Sequence, residues 1–241
     1  GVVAPNCLPK TAWPPTFLTD ASDGGSVSVN NGRFELGTNG SANATVGWVN
    51  STDISENGSM HVENGEFADW WIANEGKLTI ASNGTLHTIS ITGSGSTVND
   101  GTLTVGTDAN EGTLEVGTGG FVNNGTLDAT HVADTVVAGD LFNEGHAEYD
   151  DMTITAGGSS VNEGYERGDI LTVESGASHS NTGVSIWNGM TISDGASGSN
   201  GKPLADDAPK GHEEGFASDA LLQVGTDAAD ETFDISGSFD N

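Results

Sequence analysis

The tripeptide Arg167-Gly168-Asp169 has the most clearly defined chemistry of any short segment in the sequence. In an exposed turn it holds one cation and one carboxylate at a fixed separation, and integrin receptors bind this arrangement through an acidic pocket and a metal ion. Because short motifs often arise by chance, the alternative is a solvated turn in which Arg167 offsets the charges of Glu163 and Glu166. We predict Arg167, Gly168 and Asp169 as binding residues.

Three groups of carboxylates are candidates for glycoside chemistry. They are Asp150 with Asp151, Asp206 with Asp207, and the group Asp227, Asp230 and Glu231. Cleavage of a glycosidic bond needs two carboxyl groups about 5 to 9 Å apart across a groove, and a lyase needs a basic residue beside a metal ion. None of the six Lys and Arg residues lies at a recognisable spacing from these groups. A solvated acidic face is therefore favoured, and no catalytic residue is predicted.

Nucleophilic and metal-dependent chemistry has little support in the sequence. There is no Gly-x-Ser-x-Gly segment, and the six histidines lack the His-x-x-x-His spacing of a zinc site. Cys7 is single and cannot form an internal disulfide. Neither an EF-hand loop nor a Gly-Gly-x-Gly-x-Asp repeat occurs, so we expect no cofactor and at most weak calcium binding by the many carboxylates.

Tryptophans are the remaining candidates for ligand contact. Trp48, Trp70, Trp71 and Trp187 could stack on sugars or anchor a protein interface. Burial under a loop or a cap is the alternative for each of them. We predict Trp70, Trp71 and Trp187 as binding residues, together with the Arg-Gly-Asp tripeptide.

These candidate residues lie within a regular internal repeat. The asparagines Asn143, Asn162, Asn181 and Asn200 follow one another at intervals of 19 residues. The same interval separates three apolar triplets, which are Met152-Thr153-Ile154, Leu171-Thr172-Val173 and Met190-Thr191-Ile192. Two landmarks in one register indicate a structural unit of 19 residues.

The repeat predicts an all-β fold, a parallel β-helix (β-solenoid) with coils of about 19 residues. Short strands of alternating apolar and polar residues are separated by Asn-x-Gly segments, and Asn and Gly tolerate the positive φ of tight corners. We expect inward ladders of Val, Ile and Leu, outward ladders of Thr, and Asn ladders at corners. A β-sandwich or barrel with regularly spaced hairpins is the alternative.

The repeat also suggests how the chain is organised. Residues 1–23, which are rich in proline and contain Trp13, are predicted to form an N-terminal cap over the first coil. Residues 24–241 are predicted to form the solenoid, with an inserted loop at about 197–218 and the repeat resuming at Leu221. The aromatic segment 66–73 is expected to interrupt the pattern.

The charge of the chain restricts its partners. There are 35 Asp and Glu residues against six Lys and Arg residues, and the formal net charge is -29. Such a surface repels nucleic acid and anionic lipid headgroups, and no apolar stretch is long enough for a membrane-spanning helix. The sequence begins at Gly1 without a basic and hydrophobic leader, which suggests a processed or trimmed segment.

The segments NDGTLTV (Asn99–Val105) and NNGTLDA (Asn123–Ala129), in their Asn-x-Gly register, resemble the passenger domains of bacterial autotransporters. The resemblance is to the adhesive or self-associating, diffuse-adherence type, and it covers roughly residues 24–200 and 221–235. It implies a right-handed β-helix, secretion through an outer-membrane β-barrel, and a location on the bacterial cell surface or outside the cell. It also implies adhesion to host cells, to sister cells or within biofilms.

From this resemblance we expect a non-enzymatic adhesin segment. Its partner would be a host-cell surface protein or glycan, or another copy of the chain. A polysaccharide-active enzyme on the same fold, either a lyase or a hydrolase, and a purely structural stalk are the alternatives. Because a charge of -29 opposes contact between two copies, homotypic association would strengthen with salt or divalent cations.

Overall fold

The structure is a computed structural model that describes residues 2–3, 26–30, 32–37, 44–200, 221–224 and 233–240 of the chain. These residues form 22 strands and no helix. Within these ranges there is consequently no helix of the length and apolarity that a membrane span requires. The strands are β1 (Val2–Val3), β2 (Ser26–Val29), β3 (Arg33–Leu36), β4 (Ala44–Val49), β5 (Ser51–Ile54), β6 (Ser59–Asn74), β7 (Lys77–Thr92), β8 (Ser96–Asn99), β9 (Thr102–Val105), β10 (Gly112–Val116), β11 (Phe121–Asn123), β12 (Thr126–Val137), β13 (Asp140–Asn143), β14 (His146–Ile154), β15 (Ser159–Asn162), β16 (Tyr165–Val173), β17 (Ser178–Asn181), β18 (Val184–Ile192), β19 (Ser197–Asn200), β20 (Leu221–Val224), β21 (Phe233–Ile235) and β22 (Ser238–Asp240).

The predicted β-solenoid is confirmed. The chain winds through about eight turns of roughly 19 residues, and each strand pairs in parallel with its counterpart in the next turn. Three rows of strands run along the rod. In one typical coil, row A is β15, row B is the first part of β16 (Tyr165–Gly168) and row C is its second part (Ile170–Val173).

Alternation along the short strands fills the core. In β9, Leu103 and Val105 are fully buried whereas Thr102 and Thr104 face outward. Leu103 pairs in register with Leu86 on one side and Leu127 on the other, so that leucines stack along row B. Burial of each such side chain contributes about 1.5 to 3 kcal/mol, which favours the coil geometry at every turn. The result is a narrow core of aliphatic ladders.

The predicted asparagine ladder is present and lies inside the rod, at the ends of the row A strands. Its side chains are buried except for the partly buried last one, Asn200, and each Nδ2 before it donates to the Oδ1 of the next member over 2.7 to 2.8 Å. The members are Asn99, Asn123, Asn143, Asn162, Asn181 and Asn200. The same Nδ2 also reaches a backbone carbonyl, for example that of Tyr165 from Asn143 at 2.9 Å. Buried amides are costly unless they are hydrogen-bonded, and here the stacked coils supply partners.

The glycine of each Asn-x-Gly segment is required for a different reason from the one that the sequence suggested. A Cβ on Gly164 would lie 2.2 Å from the carbonyl oxygen of Gly145 in the preceding coil. In these late coils positive φ occurs instead at the corner that follows row C, at Gly157, Gly176 and Gly195, whereas in the early coils Gly37 and Gly65 have it at the corner after row A. Close approach of successive coils therefore selects glycine after the asparagine, and left-handed backbone selects it at the other corner.

Some predicted regions lie outside the described residues. Of the predicted cap at 1–23, only Val2–Val3 is described, and it pairs in parallel with Val27 and Ser28. Residues Ser197–Asn200, expected to begin an inserted loop, instead form β19 in register with β17, and 201–220 are not described. The repeat resumes at Leu221, because β20 pairs with the row B part of β18.

The segment 66–73 does not interrupt the solenoid. It lies within β6 and pairs in register with β7. Phe67 and Ile72 are buried in the core, whereas Trp70 and Trp71 lie where the chain bends between row B and row C. The two tryptophans of this segment therefore occupy a bend of an otherwise ordinary coil.

Candidate functional site

The bends between row B and row C stack on one another and form one edge of the rod, here called the BC edge. Strand register places seven successive bends on it, which are 70–71, 89–90, 106–113, 130–134, 150–151, 169–170 and 188–189. Five of them are two residues long, and the bends at 106–113 and 130–134 are longer. These are the longest insertions into the repeat between Ser51 and Asn200. In solenoids, insertions on one face often carry the binding function.

Three tryptophans form an aromatic cluster at one end of the BC edge. The ring centroids of Trp48 and Trp70 are 5.5 Å apart, and those of Trp70 and Trp71 are 6.2 Å apart. The ring planes are tilted by 52° and 44°. Trp71 is 56% exposed and Trp48 is 38% exposed. Two of the predicted binding residues, Trp70 and Trp71, are thus brought together on the surface with a third tryptophan.

The buried carboxyl group of Asp69 holds the bend beneath this cluster. The backbone N–H of Trp71 donates to Asp69 Oδ1 over 3.0 Å, and the hydroxyl of Thr52 donates to Oδ2. Burial raises the pKa of Asp69 to about 7, although these hydrogen bonds favour the charged form. Asp69 is not among the residues predicted from the sequence. The alternation of inward and outward residues in row B could have identified it, because that alternation directs Asp69 inward, at the position where the next coil has Thr88.

An acidic cluster lies further along the same edge. One carboxylate oxygen from each of Asp150, Asp151 and Asp169 lies within 4.8 Å of the others. The backbone N–H of Ile170 donates to Asp151 over 3.1 Å, and Asn188 Nδ2 donates to Asp169 over 2.8 Å. Partial burial, and then the neighbouring carboxylates, raise the pKa of Asp151. Oxygen ligands of this kind suit hard cations such as calcium, the only metal that the sequence suggested.

The two longer bends create an open depression of about 210 Å³ beside the acidic cluster. Its lining residues are Thr107, Asp108, Glu111, Thr130, His131 and Asp150. Within it, His131 Nε2 lies 3.3 Å from Asp108 Oδ1. Asp150 therefore belongs both to the cluster and to the depression, so the two form one continuous acidic surface.

The Arg-Gly-Asp tripeptide lies within β16, where row B bends into row C. Arg167 and Asp169 are exposed, and Asp169 is a member of the acidic cluster. Gly168 faces inward, and a Cβ at this position would lie 2.1 Å from Cζ3 of Trp187. The glycine is therefore needed by the core, and only the two charged side chains are available to a partner.

Trp187, predicted as a binding residue, is fully buried. Its ring stacks on that of Tyr149 with centroids 5.9 Å apart and planes within 13° of parallel. The missing side chain of Gly168, in the coil between them, leaves the room for this contact. Trp187 therefore cannot meet a ligand at the rod surface. The structure instead shows the alternative given for this residue, which is burial.

A polar group lies in the interior of the same coils, and the sequence analysis missed it. Ser185 Oγ donates to Glu166 Oε1 over 2.6 Å, and Trp187 Nε1 donates to Ser185 Oγ over 2.8 Å. His179 Nε2 lies 3.3 Å from Glu166 Oε1. The side chain of Glu166 thus points away from the surface, so the alternative in which Arg167 offsets its charge does not hold for Glu166. The alternation of outward and inward residues in row B, counted from the outward Tyr165, predicts that Glu166 faces the core.

Both ionisable groups of this interior cluster favour their uncharged forms. Burial raises the pKa of Glu166 to about 7 and lowers that of His179 to about 4. Hydrogen bonds from Ser185 and Trp187 moderate the shift of Glu166. Between about pH 4 and pH 7 the 3.3 Å contact therefore joins a protonated carboxyl group to a neutral imidazole. Since the group is sealed in the core, it belongs to the stability of the rod and not to surface chemistry.

Comparison with known proteins finds no matching family model, no matching curated protein and no matching solved structure. The class of protein that the fold defines is a parallel β-solenoid with repeats of about 19 residues.

Proposed function

We propose that this chain is an adhesin segment of a bacterial cell surface, a rod that binds its partner along the BC edge. The proposal rests on the resemblance of its repeats to autotransporter passenger domains and on the arrangement of that edge. Its partner would be a host-cell surface protein or glycan, or another copy of the rod. In this proposal the segment acts without catalysis, outside the cell or at its surface.

One observation carries the proposal. The exposed tryptophans, the two longer bends, the acidic cluster and the charged residues of the Arg-Gly-Asp tripeptide all belong to one edge. Folding alone does not require this grouping, because the strands and the glycine corners already build the coil. Exposed aromatic side chains and insertions on one face are typical of interaction sites.

Cell adhesion by the isolated chain tests the proposal. Beads coated with the protein would be applied to epithelial cells and to beads of the same kind, and attachment would be counted. We expect the double variant Trp48→Ala, Trp71→Ala to lose most of the attachment. Phe142→Ala is the matched control, since it removes a partly exposed aromatic residue from the outward face of row A. Equal attachment of wild type and double variant would contradict a role of the BC edge.

Homotypic binding and host binding are separated by light scattering across a series of salt and calcium concentrations. Rods that associate only when their charge of -29 is screened would support contact between copies. Rods that stay monomeric while the beads attach to cells would support a host partner.

A polysaccharide-active enzyme is the second candidate, and the acidic cluster beside the open depression favours it. Three carboxyl groups converge there, with oxygens within 4.8 Å of one another, which is slightly closer than the roughly 5 Å between the two carboxyl groups of a retaining glycosidase. A reducing-end assay over a panel of polysaccharides tests this candidate. Activity that disappears in Asp150→Asn would support it, and no release of reducing ends from any polymer would count against it.

A further inference from the structure

Building on the proposed adhesive role, we propose that the BC edge binds a basic, extended segment of a partner protein. A Lys or Arg side chain of that segment lies against the aromatic cluster of Trp48, Trp70 and Trp71. A second cation lies over the acidic cluster of Asp150, Asp151 and Asp169. The ligand class is thus a polypeptide with two positive charges separated along its length.

The aromatic cluster has the geometry of a site for a cation. Tilts of 52° and 44° between neighbouring indoles keep the rings from stacking face to face, and Trp48 and Trp71 keep more than a third of their surface in solvent. Tryptophan is the aromatic side chain that attracts Lys and Arg most strongly through its ring face. The Trp71 backbone is held by the buried Asp69, so the bend that carries this ring need not be ordered on binding.

Charge complementarity distinguishes a basic partner from a neutral sugar, which could also stack on indole rings. The chain carries a formal charge of -29, and such a field attracts basic partners and repels acidic ones. Along the described bends of the BC edge the carboxylates are Asp108, Glu111, Asp134, Asp150, Asp151 and Asp169. Two basic residues lie near these carboxylates. Arg167 is beside the bend at 169–170 on β16, and His131 lines the depression. The BC edge therefore carries negative charge from the two longer bends to the acidic cluster.

The spacing of the two clusters fixes the length of the ligand. The bend at 70–71 and the bend at 169–170 are five strand spacings apart, which corresponds to about 24 Å. An extended peptide covers about 3.3 Å per residue, so the two cations lie about seven to eight residue steps apart, and eight is the even number that directs both side chains to the same face. A shorter basic segment would reach only one of the clusters.

A pair of synthetic peptides tests the inference. The first is a nine-residue peptide of Gly and Ser with arginine at both ends, and the second carries citrulline, which is uncharged and nearly isosteric, in place of both arginines. Binding to the full chain would be measured by calorimetry and by tryptophan fluorescence. We expect the arginine peptide to bind roughly 3- to 20-fold more tightly than the citrulline peptide. Equal binding of the two peptides would overturn the inference.

Variants of the protein locate the contact. Trp71→Ala should weaken the binding of the arginine peptide by a factor similar to the one expected between the two peptides. Phe142→Ala should leave the affinity for this peptide unchanged. The triple variant of Asp150, Asp151 and Asp169 to Asn should weaken binding and flatten its dependence on salt. Binding that is unaffected by Trp71→Ala would overturn the aromatic contact. If Trp71→Ala abolishes attachment to cells while both peptides bind alike, the adhesive role stands and the basic ligand is wrong.

Discussion

The early and late coils of the rod place different side chains at the same register positions. At the end of row A the early coils have Leu36, Val62 and Ile80, whereas every later coil from Asn99 to Asn200 has asparagine. In row B the change comes two coils later, since leucine continues to Leu127 and is followed at the same register position by Ala147, Glu166 and Ser185. The BC edge changes in parallel, from tryptophans to carboxylates.

This difference separates what the coil requires from what it allows. Parallel pairing and the close approach at glycine set the path of the chain in both halves. The interior accepts amides when they form a continuous ladder, and it accepts a carboxyl group when that group stays uncharged. Asp69 and Glu166 illustrate two solutions, since the first is bonded to a bend near the surface and the second to other side chains in the core.

Replacing the buried tryptophan of the late coils should have the largest effect on stability. Trp187→Ala removes a ring that is fully buried and stacked on Tyr149, and it leaves a cavity above Gly168. We expect the free energy of unfolding to fall by about 3 to 5 kcal/mol, measured by urea denaturation. Trp71→Ala, in the early coils, is the matched control and should change it by about 0.5 kcal/mol or less, because that ring is 56% exposed. Equal losses in the two variants would contradict the assignment of one ring to the core and the other to the surface.

The comparison also explains how far the sequence alone could lead. The ungapped interval from Asn143 to Asn200 was enough to predict stacked coils and an asparagine ladder, because a ladder needs the same residue at the same place in each coil. Short alternating strands such as β9 identified the inward leucines. Both features are local or strictly periodic, and a single sequence reveals them.

The candidate site was harder to predict because it depends on register across irregular coils. The bends at 106–113 and 130–134 differ in length, so the sequence does not align Trp71 with Asp151 or Asp169. Gly168 belongs to a predicted surface motif, and only the close approach of Trp187 reveals its role in the core. Glu166 belongs to the alternative of a solvated turn beside Arg167, and only its burial in the folded coil reveals that it lies in the core.

Neutralising the buried carboxyl group of the early coils should alter the pH dependence of stability. The pKa of Asp69 is raised from an ordinary 3.8 to about 7, so the folded state holds its proton more tightly than the unfolded state. Its contribution is complete below about pH 4 and is lost as the pH rises through about 7. Relative to Asp69→Asn, the wild type should lose about 2 to 4 kcal/mol between these pH values.

Urea denaturation at several pH values checks this expectation. Asp53→Asn is the control, since Asp53 is exposed and makes the smallest contribution to the raised pKa of Asp69, so this variant should keep most of the pH dependence. A wild-type profile that Asp69→Asn leaves unaltered would mean that Asp69 titrates alike in the folded and unfolded chains.

The buried pair of the late coils should respond differently, because its two shifts oppose each other. Glu166 alone, with its pKa raised from 4.5 to about 7, makes stability fall as the pH rises through that range. His179 alone, with its pKa lowered from 6.5 to about 4, makes stability fall as the pH drops through that range. Between about pH 4.5 and 6.5 the folded and unfolded pair each hold one proton, so the wild-type pair contributes no slope there.

Each single substitution should expose the slope of the remaining partner. Relative to the wild type, Glu166→Gln should gain stability with rising pH, and His179→Asn should lose it, each by about 1.4 kcal/mol per pH unit or somewhat less. The two slopes have opposite signs, and the double variant should return to the wild-type slope. Slopes of the same sign would show that the pair does not hold a single proton in both the folded and the unfolded state. Glu166 would then behave as Asp69 does in the early coils, as a buried acid that titrates on its own.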